Sequence, residues 1–359
     1  MSVHSKFTTF RDAMIAGMIE RDAEVNMVLT ALLCREHAIL VSGPGEAKSM
    51  LLDSLMAWAN APKFDLLLNK FTTPEETTGP VSLVGLKSDE YRRVTEGMLP
   101  EASLAFLDEI FKASSAILNT TLKILNERRF RNGKDTMDCP LLLCVAASNE
   151  WPAPQDGLGA LFDRFMFRKT VKPITNEASL RRLCFGNVGV TITETITLQE
   201  ITHAIQLAGA MQWSPDAEDA LLECIKQVRT EGIRLGSRRI RKSVNAAAAY
   251  AWLEGASEVE PDHLEILQHC LWEDPEHEKV AAKVVAGIAN PANAVVMSLL
   301  SECEQTADAI DFTQIASVTV AIKRLTEIQS QLRTTKGSKA PAALQYVTDK
   351  IKEIKLRMI

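Results

Sequence analysis

The stretch Val41-Ser42-Gly43-Pro44-Gly45-Glu46-Ala47-Lys48-Ser49-Met50-Leu51-Leu52 decides how the chain reads. Upstream, Ala38-Ile39-Leu40-Val41 is a short apolar run; downstream, Leu51, Leu52, Leu55 and Met56 fall at helical spacing. Strand, glycine-rich turn, Lys-Ser and helix is the order that a phosphate-cradling loop requires. The glycines let successive backbone N–H groups converge on one anion. The helix start adds unpaired N–H groups and the positive end of its dipole. Lys48 is placed to reach the β- and γ-phosphates of a nucleotide, and Ser49 to set its hydroxyl on Mg²⁺. Gly43, Pro44, Gly45, Glu46, Ala47 and Met50 complete the cradle. Ser42 and Ala47 depart from the strict pattern, standing where glycines are usual.

A phosphate loop needs carboxylates beside it, and the next informative string supplies two. Ser103-Leu104-Ala105-Phe106-Leu107-Asp108-Glu109 is an apolar strand ending in adjacent acids, about 60 residues after Lys48. A buried strand delivers both to the sheet edge that carries the loop. Asp108 would hold Mg²⁺ through water; Glu109 would orient and deprotonate an attacking water. Leu141 to Ala147 is a further apolar strand that ends at Ser148-Asn149, where Asn149 can hydrogen-bond the γ-phosphate or that water. Leu158 to Phe167 reads as a helix-to-strand transition carrying Arg164, whose place at the margin of the nucleotide-binding unit suits contact with a second subunit.

The remaining pattern is that of a globular intracellular protein. A chain of 359 residues accommodates two or three domains with sizeable cores. The seven cysteines form no CxxC pair and several sit in apolar surroundings, as reduced thiols in a cytoplasmic protein do. The N-terminal residues lack the basic-then-apolar order of a secretion signal. No apolar run approaches the ~20 residues that span a bilayer. A net charge of −6 gives no electrostatic reason to expect nucleic acid as a partner.

Phe7 to Ile19 and Glu24 to Cys34 carry helical periodicity, and Ile19, at their joint, offers a surface on which an adenine could rest. Thr73-Pro74-Glu75-Glu76 signals a helix start and Gly79-Pro80 its stop; Leu83 to Val94 suggests a small hairpin turning at Lys87-Ser88-Asp89. Asn132-Gly133 marks a second hairpin. Beyond Glu177 only helices are expected: Ser179 to Cys184, Leu198 to Ala208, Pro215 to Glu231, Arg238 to Leu253 and Pro261 to Trp272. The fourth opens on Gly232-Ile233-Arg234-Leu235-Gly236-Ser237-Arg238-Arg239-Ile240-Arg241, a basic start that opposes the helix dipole and that a bound anion would relieve. From Asn290 a last helical segment follows, with Ile315 to Leu332 and Pro341 to Met358 as a pair. From Lys323 onward it carries nine Lys/Arg against three Asp/Glu.

These strings together resemble AAA+ ATPases of the MoxR family, closest to the RavA subfamily. The matching residues run from Gly43-Pro44-Gly45-Glu46-Ala47-Lys48-Ser49 through Phe71 to Glu76, Leu107 to Ala113, Asn126 to Gly133 and Val145 to Glu150. Leu161-Phe162-Asp163-Arg164 and Ser237-Arg238-Arg239 close the set. Ala before the loop lysine is usual in this family. The resemblance implies an α/β fold: a three-layer αβα domain with a parallel sheet over residues 1–175, an all-α lid over 176–289 and a C-terminal helical domain over 290–359. It also implies a helix-2 insert at about 71–96 and a hairpin before sensor 1 at about 127–140. Lys48 and Ser49 then belong to Walker A, Asp108 and Glu109 to Walker B, and Asn149 to sensor 1. Arg164 is the arginine finger, and Arg239 sensor 2 with Arg238 as the alternative. RavA proteins carry a β-rich insert in the C-terminal helical domain; here only Lys336 to Ala340 separates the last two helical patterns.

The expected activity is Mg²⁺-dependent ATP hydrolysis by a hexameric ring or spiral that remodels protein clients, commonly with a von Willebrand factor A-domain partner. A site that takes an arginine from the next subunit is a head-to-tail interface, which closes into a ring or continues as a spiral. Two alternatives stay open. One is a nucleic-acid motor with Arg128, Arg129, Arg131 and Lys134 lining a pore. The other is an ATP-dependent assembly scaffold without productive turnover.

Overall fold

The computed structural model describes residues 2–152, 163–308, 310, 315–335 and 340–356. Helices α1 (Val3–Gly17) and α2 (Asp22–Leu33) lead into strand β1 (His37–Val41), and the phosphate loop connects β1 to α3 (Lys48–Trp58). Next come β2 (Ala59–Asn60), β3 (Lys63–Leu67), the short helices α4 (Pro74–Thr78) and α5 (Leu83–Lys87), β4 (Leu104–Asp108) and α6 (Ser115–Glu127). The hairpin β5 (Arg129–Asn132) and β6 (Asp135–Asp138) precedes β7 (Leu143–Ser148) and β8 (Phe165–Thr170). Helix α7 (Glu177–Phe185), the short strand β9 (Ile196–Thr197), α8 (Leu198–Gly209), α9 (Pro215–Thr230) and α10 (Ser237–Glu254) follow. After a 3₁₀ segment at Pro261–His269 the chain ends in α11 (Glu278–Ala289), α12 (Pro291–Asp308), α13 (Ile315–Thr334) and α14 (Ala340–Leu356).

Five parallel strands stand in the order β3-β4-β7-β1-β8. Their residues alternate between two apolar clusters. Leu40, Phe106, Val145 and Phe167 join the helices of α1, α2 and α3 on one face. Ile39, Val41, Leu107 and Ala146 pack with Ile117, Leu118 and Leu125 of α6 on the other. A strand buried on both faces reads as a continuous apolar run, which is why Leu141 to Ala147 shows no alternation in sequence. The first cluster continues without a break into Ile201, Leu221, Trp252 and Leu267 of the helices after β8. Helices α12, α13 and α14 have a cluster of their own, built on Val296, Leu325, Ile328, Val347 and Ile351. No β-strand lies among the described residues after Thr197.

Local details depart from the sequence reading where tertiary contacts decide. The hairpin expected at Leu83 to Val94 is instead helix α5, started by the Ser82 side chain accepting from the Gly85 N–H, with the antiparallel return reduced to one bridge between Val81 and Arg93. Pro261 to Trp272 is a 3₁₀ segment that ends at His269 rather than an α-helix. The Thr73-Pro74 start stands as read, with a capping box between Thr73 and Glu76. The helical part of the Leu158 to Phe167 transition and the Lys336 to Lys339 link lie outside the described residues.

Candidate functional site

The phosphate loop leaves the C-terminal end of β1 and its glycines face solvent. Ala47 sits in the left-handed region, φ 62° and ψ 18°. That conformation explains why a glycine is usual there: an L-residue pays ~1–2 kcal/mol for it. Ser42, the other departure, is buried, and its hydroxyl and carbonyl oxygens each accept from Lys48 Nζ at 2.8 Å. Lys48 also donates to Ser148 O and Asn149 Oδ1 at 3.3 Å. The lysine is thus strung across the ends of β1 and β7. Burial lowers its pKa from the usual lysine value, against the opposing pull of Asp108, Glu109 and Glu46.

The β4 end brings the acids to the same edge. Asp108 Oδ1 accepts from the Glu109 N–H at 2.9 Å, leaving its second oxygen free to take a ligand. Glu109 is itself left-handed, with φ 54° and ψ 41°. Its Oε1 accepts from Asn149 Nδ2 and from Lys112 Nζ, the latter at 3.1 Å. Its Oε2 is buried and has no hydrogen-bond partner. An unsatisfied carboxylate oxygen in a strained residue is an acceptor in need of a donor, such as a water. Ser49 is exposed at the second position of α3, and Met50, half-buried, packs on the first core cluster. No cluster of three or more His, Cys, Asp or Glu able to hold a metal lies among the described residues. The donor set is one hydroxyl and one carboxylate. Such oxygens fit Mg²⁺, which takes its remaining ligands from phosphates and water.

The joint between α1 and α2 is fastened to this loop, a link that sequence reading missed. Arg21 Nη2 donates to Glu46 Oε2 at 2.7 Å, and Arg21 Nε to Glu46 O at 3.3 Å. Arg21 and the neighbouring Ile19 are both buried. No local pattern marks Arg21; only its place two residues past Ile19, at the joint of two helices, hinted at it.

The arginines lie at the opposite edge of the sheet. In the β1–β8 register His37 pairs with Phe165 and Val41 with Thr170. Arg164 therefore stands where β1 begins, one strand length, ~16 Å, from where the loop leaves. It donates to the adjacent Asp163 at 2.7 Å. Arg239 lies at that edge too, almost fully buried: Nη1 donates to Met166 O and Cys270 O, both at 3.0 Å. Burial lowers its pKa from the ordinary arginine value. Its guanidinium also lies 3.8 Å from the carboxylates of Asp163 and Glu273, so β8 and the segment after α10 hold it at this edge. Arg238 is exposed, with Nη2 donating to Asn126 Oδ1 at 2.6 Å near the end of α6. The structure corrects one residue of the hairpin reading. Arg128 turns inward to Leu125 O and Arg35 O, beside His37, so only Arg129, Arg131 and Lys134 are exposed.

A family model described as the MoxR domain of MoxR-vWA-beta-propeller ternary systems matches residues 5–207. The chain belongs to the MoxR family of AAA+ ATPases. A second model, an AAA lid domain, matches residues 219–285. Two proteins of Methanocaldococcus jannaschii, both named only as uncharacterized, are similar. MJ0812 is 32% identical over 96% of this chain and 95% of its own length; MJ0079 is 36% identical over 79% and 75%. The crystal structure of a provisionally assigned ATPase of Cytophaga hutchinsonii superposes with a TM-score of 0.62 at 16% identity, covering 80% of this chain and 94% of that one. The architecture is therefore the three-layer αβα domain of AAA+ proteins, with an all-α lid and C-terminal helices. The family's activity is ATP-dependent. No helix among the described residues is long and apolar enough to cross a membrane.

Proposed function

We propose that this MoxR protein hydrolyses Mg²⁺-ATP in a head-to-tail ring or spiral and uses the turnover to remodel protein clients. The observation that carries this reading is the separation of its polar groups. Lys48, Asp108, Glu109 and Asn149 meet at one sheet edge, while Arg164 and Arg238 stand at the other. A complete site then needs the second edge of a neighbouring copy.

In that site the loop N–H groups and Lys48 bind the phosphates. Glu109 holds the attacking water through its partnerless Oε2 and accepts its proton. Asn149 orients Glu109 and senses the γ-phosphate through its link to Lys48. Ser49 and Asp108 would hold Mg²⁺, which offsets charge on the β- and γ-phosphates when bound. Arg164 of a neighbour supplies the finger, and exposed Arg238, rather than Arg239, reaches the phosphate as sensor 2. Ile19 carries the base.

The family model's own description supports a von Willebrand factor A-domain partner. Exposed Phe71, Leu83, Val84 and Tyr91 on the 71–96 insert support protein clients. The hairpin's basic residues are countered by Asp135 and Asp138, the latter paired with Arg129 at 3.2 Å, which weighs against a nucleic-acid track.

Complementation tests the trans arrangement. Lys48→Ala and Arg164→Ala are each expected to lack ATPase activity; mixed, they form sites that pair an intact loop with an intact arginine, and activity returns. Arginine fingers are worth about 10³–10⁵ in rate, so the recovery is easily measured. A mixture as inactive as its components would refute a shared site. Turnover by Arg164→Ala alone at the wild-type rate would refute the finger.

A further inference from the structure

We propose that Trp151, Thr170 and Glu278 form a relay that carries the state of the phosphate site into helix α11 and on to the C-terminal helices. The inference rests on the nucleotide site proposed above, and none of the three residues belongs to the phosphate-binding or water-activating set.

The relay begins two residues past Asn149. The β7 end passes from Ser148, which accepts from Lys48, through Asn149 to Trp151. Trp151 Nε1 donates to Thr170 Oγ1 at 3.1 Å. The same hydroxyl donates to Glu278 Oε2 at 2.6 Å, and the Thr170 N–H donates to Glu278 Oε1 at 3.1 Å. Thr170 is the last residue of β8 and pairs with Val41, the residue that opens the loop. Two groups, one just past the end of β7 and one at the start of α11, thus share the hydroxyl that ends β8 at the loop edge of the sheet.

The packing makes Trp151 responsive. It lies against both apolar clusters, one on each face of the sheet. Its ring meets Trp272 edge-to-face, centroids 5.8 Å apart at 78°. Trp272 in turn belongs to the segment that Arg168 and Arg239 fasten to β8. Any shift of Asn149 on gaining or losing a γ-phosphate contact therefore moves a large ring wedged between rigid bodies, and packed interiors transmit such displacements rather than absorb them.

The output end is equally direct. Glu278 is the first residue of α11, and α11 runs through Asn290 into α12, the first helix of the C-terminal unit. That unit has its own apolar cluster. A separately cored module joined to the lid by one residue is moved by α11 as a whole. The relay assigns it the role of the moving part.

Hydrogen exchange on the full chain, with and without Mg²⁺ and a non-hydrolysable ATP analogue, tests this. Nucleotide is expected to change exchange across 278–308 by at least about fivefold, the lower end of ordinary coupling between sites. Thr170→Val, which removes the shared hydroxyl at nearly constant volume, should abolish that response while analogue affinity stays at the wild-type value; Thr170→Ser should keep it. Glu278→Gln, which keeps the amide-bound acceptor but weakens the charged contact, should reduce it. The nucleotide-induced change in tryptophan emission should vanish in Trp151→Phe. A full response in Thr170→Val, or none in wild type with analogue bound, would overturn the relay. Absence of analogue binding by wild type would instead refute the nucleotide site, and the relay with it.

Discussion

Two adjacent arginines on α10 should give opposite phenotypes when truncated. Consecutive helix residues point ~100° apart, so Arg239 faces inward and Arg238 outward. Arg239→Ala removes two hydrogen bonds from a charged donor and leaves Met166 O and Cys270 O without it. Such bonds contribute ~1.5–3 kcal/mol each. Deleting the cation also deletes its own burial cost, which offsets part of this. The net loss is then about 2–4 kcal/mol, or roughly 4–16 °C in Tm at ~2–4 °C per kcal/mol. Arg238→Ala removes one contact at the surface, to Asn126, and should leave Tm within about 2 °C, since such changes stay near ±0.5 kcal/mol. Its effect should appear in ATP turnover instead. Differential scanning calorimetry and a steady-state ATPase assay on both variants decide the matter. An Arg239→Ala protein with wild-type Tm and no turnover would refute the inward assignment.

Other positions give equally specific expectations. Ala47→Gly should relieve the left-handed residue and stabilise the protein by up to about 1 kcal/mol in urea unfolding; a clear loss would mean that the loop adopts another backbone. Gly79 has φ 90°, and a Cβ there would lie 1.7 Å from Val94 O. Gly79→Ala should therefore cost about 3 kcal/mol or more and expose the 71–96 insert to proteolysis. Glu24 is buried, and burial raises its pKa above 4.5 despite Lys169 nearby. The folded state then holds a proton that the unfolded state has released. Stability attributable to this group falls as pH rises from 4.5 through the folded-state value. Glu24→Gln should flatten that part of the pH–stability curve and raise stability at neutral pH; an unchanged curve would contradict the assignment.

What the sequence alone determined was set by local rules. The loop, the Asp108-Glu109 pair and Asn149 were legible because each closes an apolar strand, and parallel topology puts strand ends on one edge. The Thr73 capping box and the helices Leu198–Gly209, Pro215–Thr230 and Ser237–Glu254 followed from periodicity and end signals, whereas the 3₁₀ form of Pro261–His269 did not. Tertiary structure alone decided which face each arginine took. Arg238 and Arg239 are equivalent in pattern, and only packing against β8 commits one to the interior. The same holds for Ser42, which reads as a missing glycine yet tethers Lys48, and for Arg21, whose partner Glu46 lies 25 residues away. Leu83 to Lys87 became a helix because Ser82 caps it locally and the Val81–Arg93 bridge closes the turn around it. The opening stretch from Val41 to Leu52 thus named a phosphate site from its own residues. Strand register, which no local pattern encodes, placed Arg164 a strand's length away from the loop, the separation on which the proposed two-copy site rests.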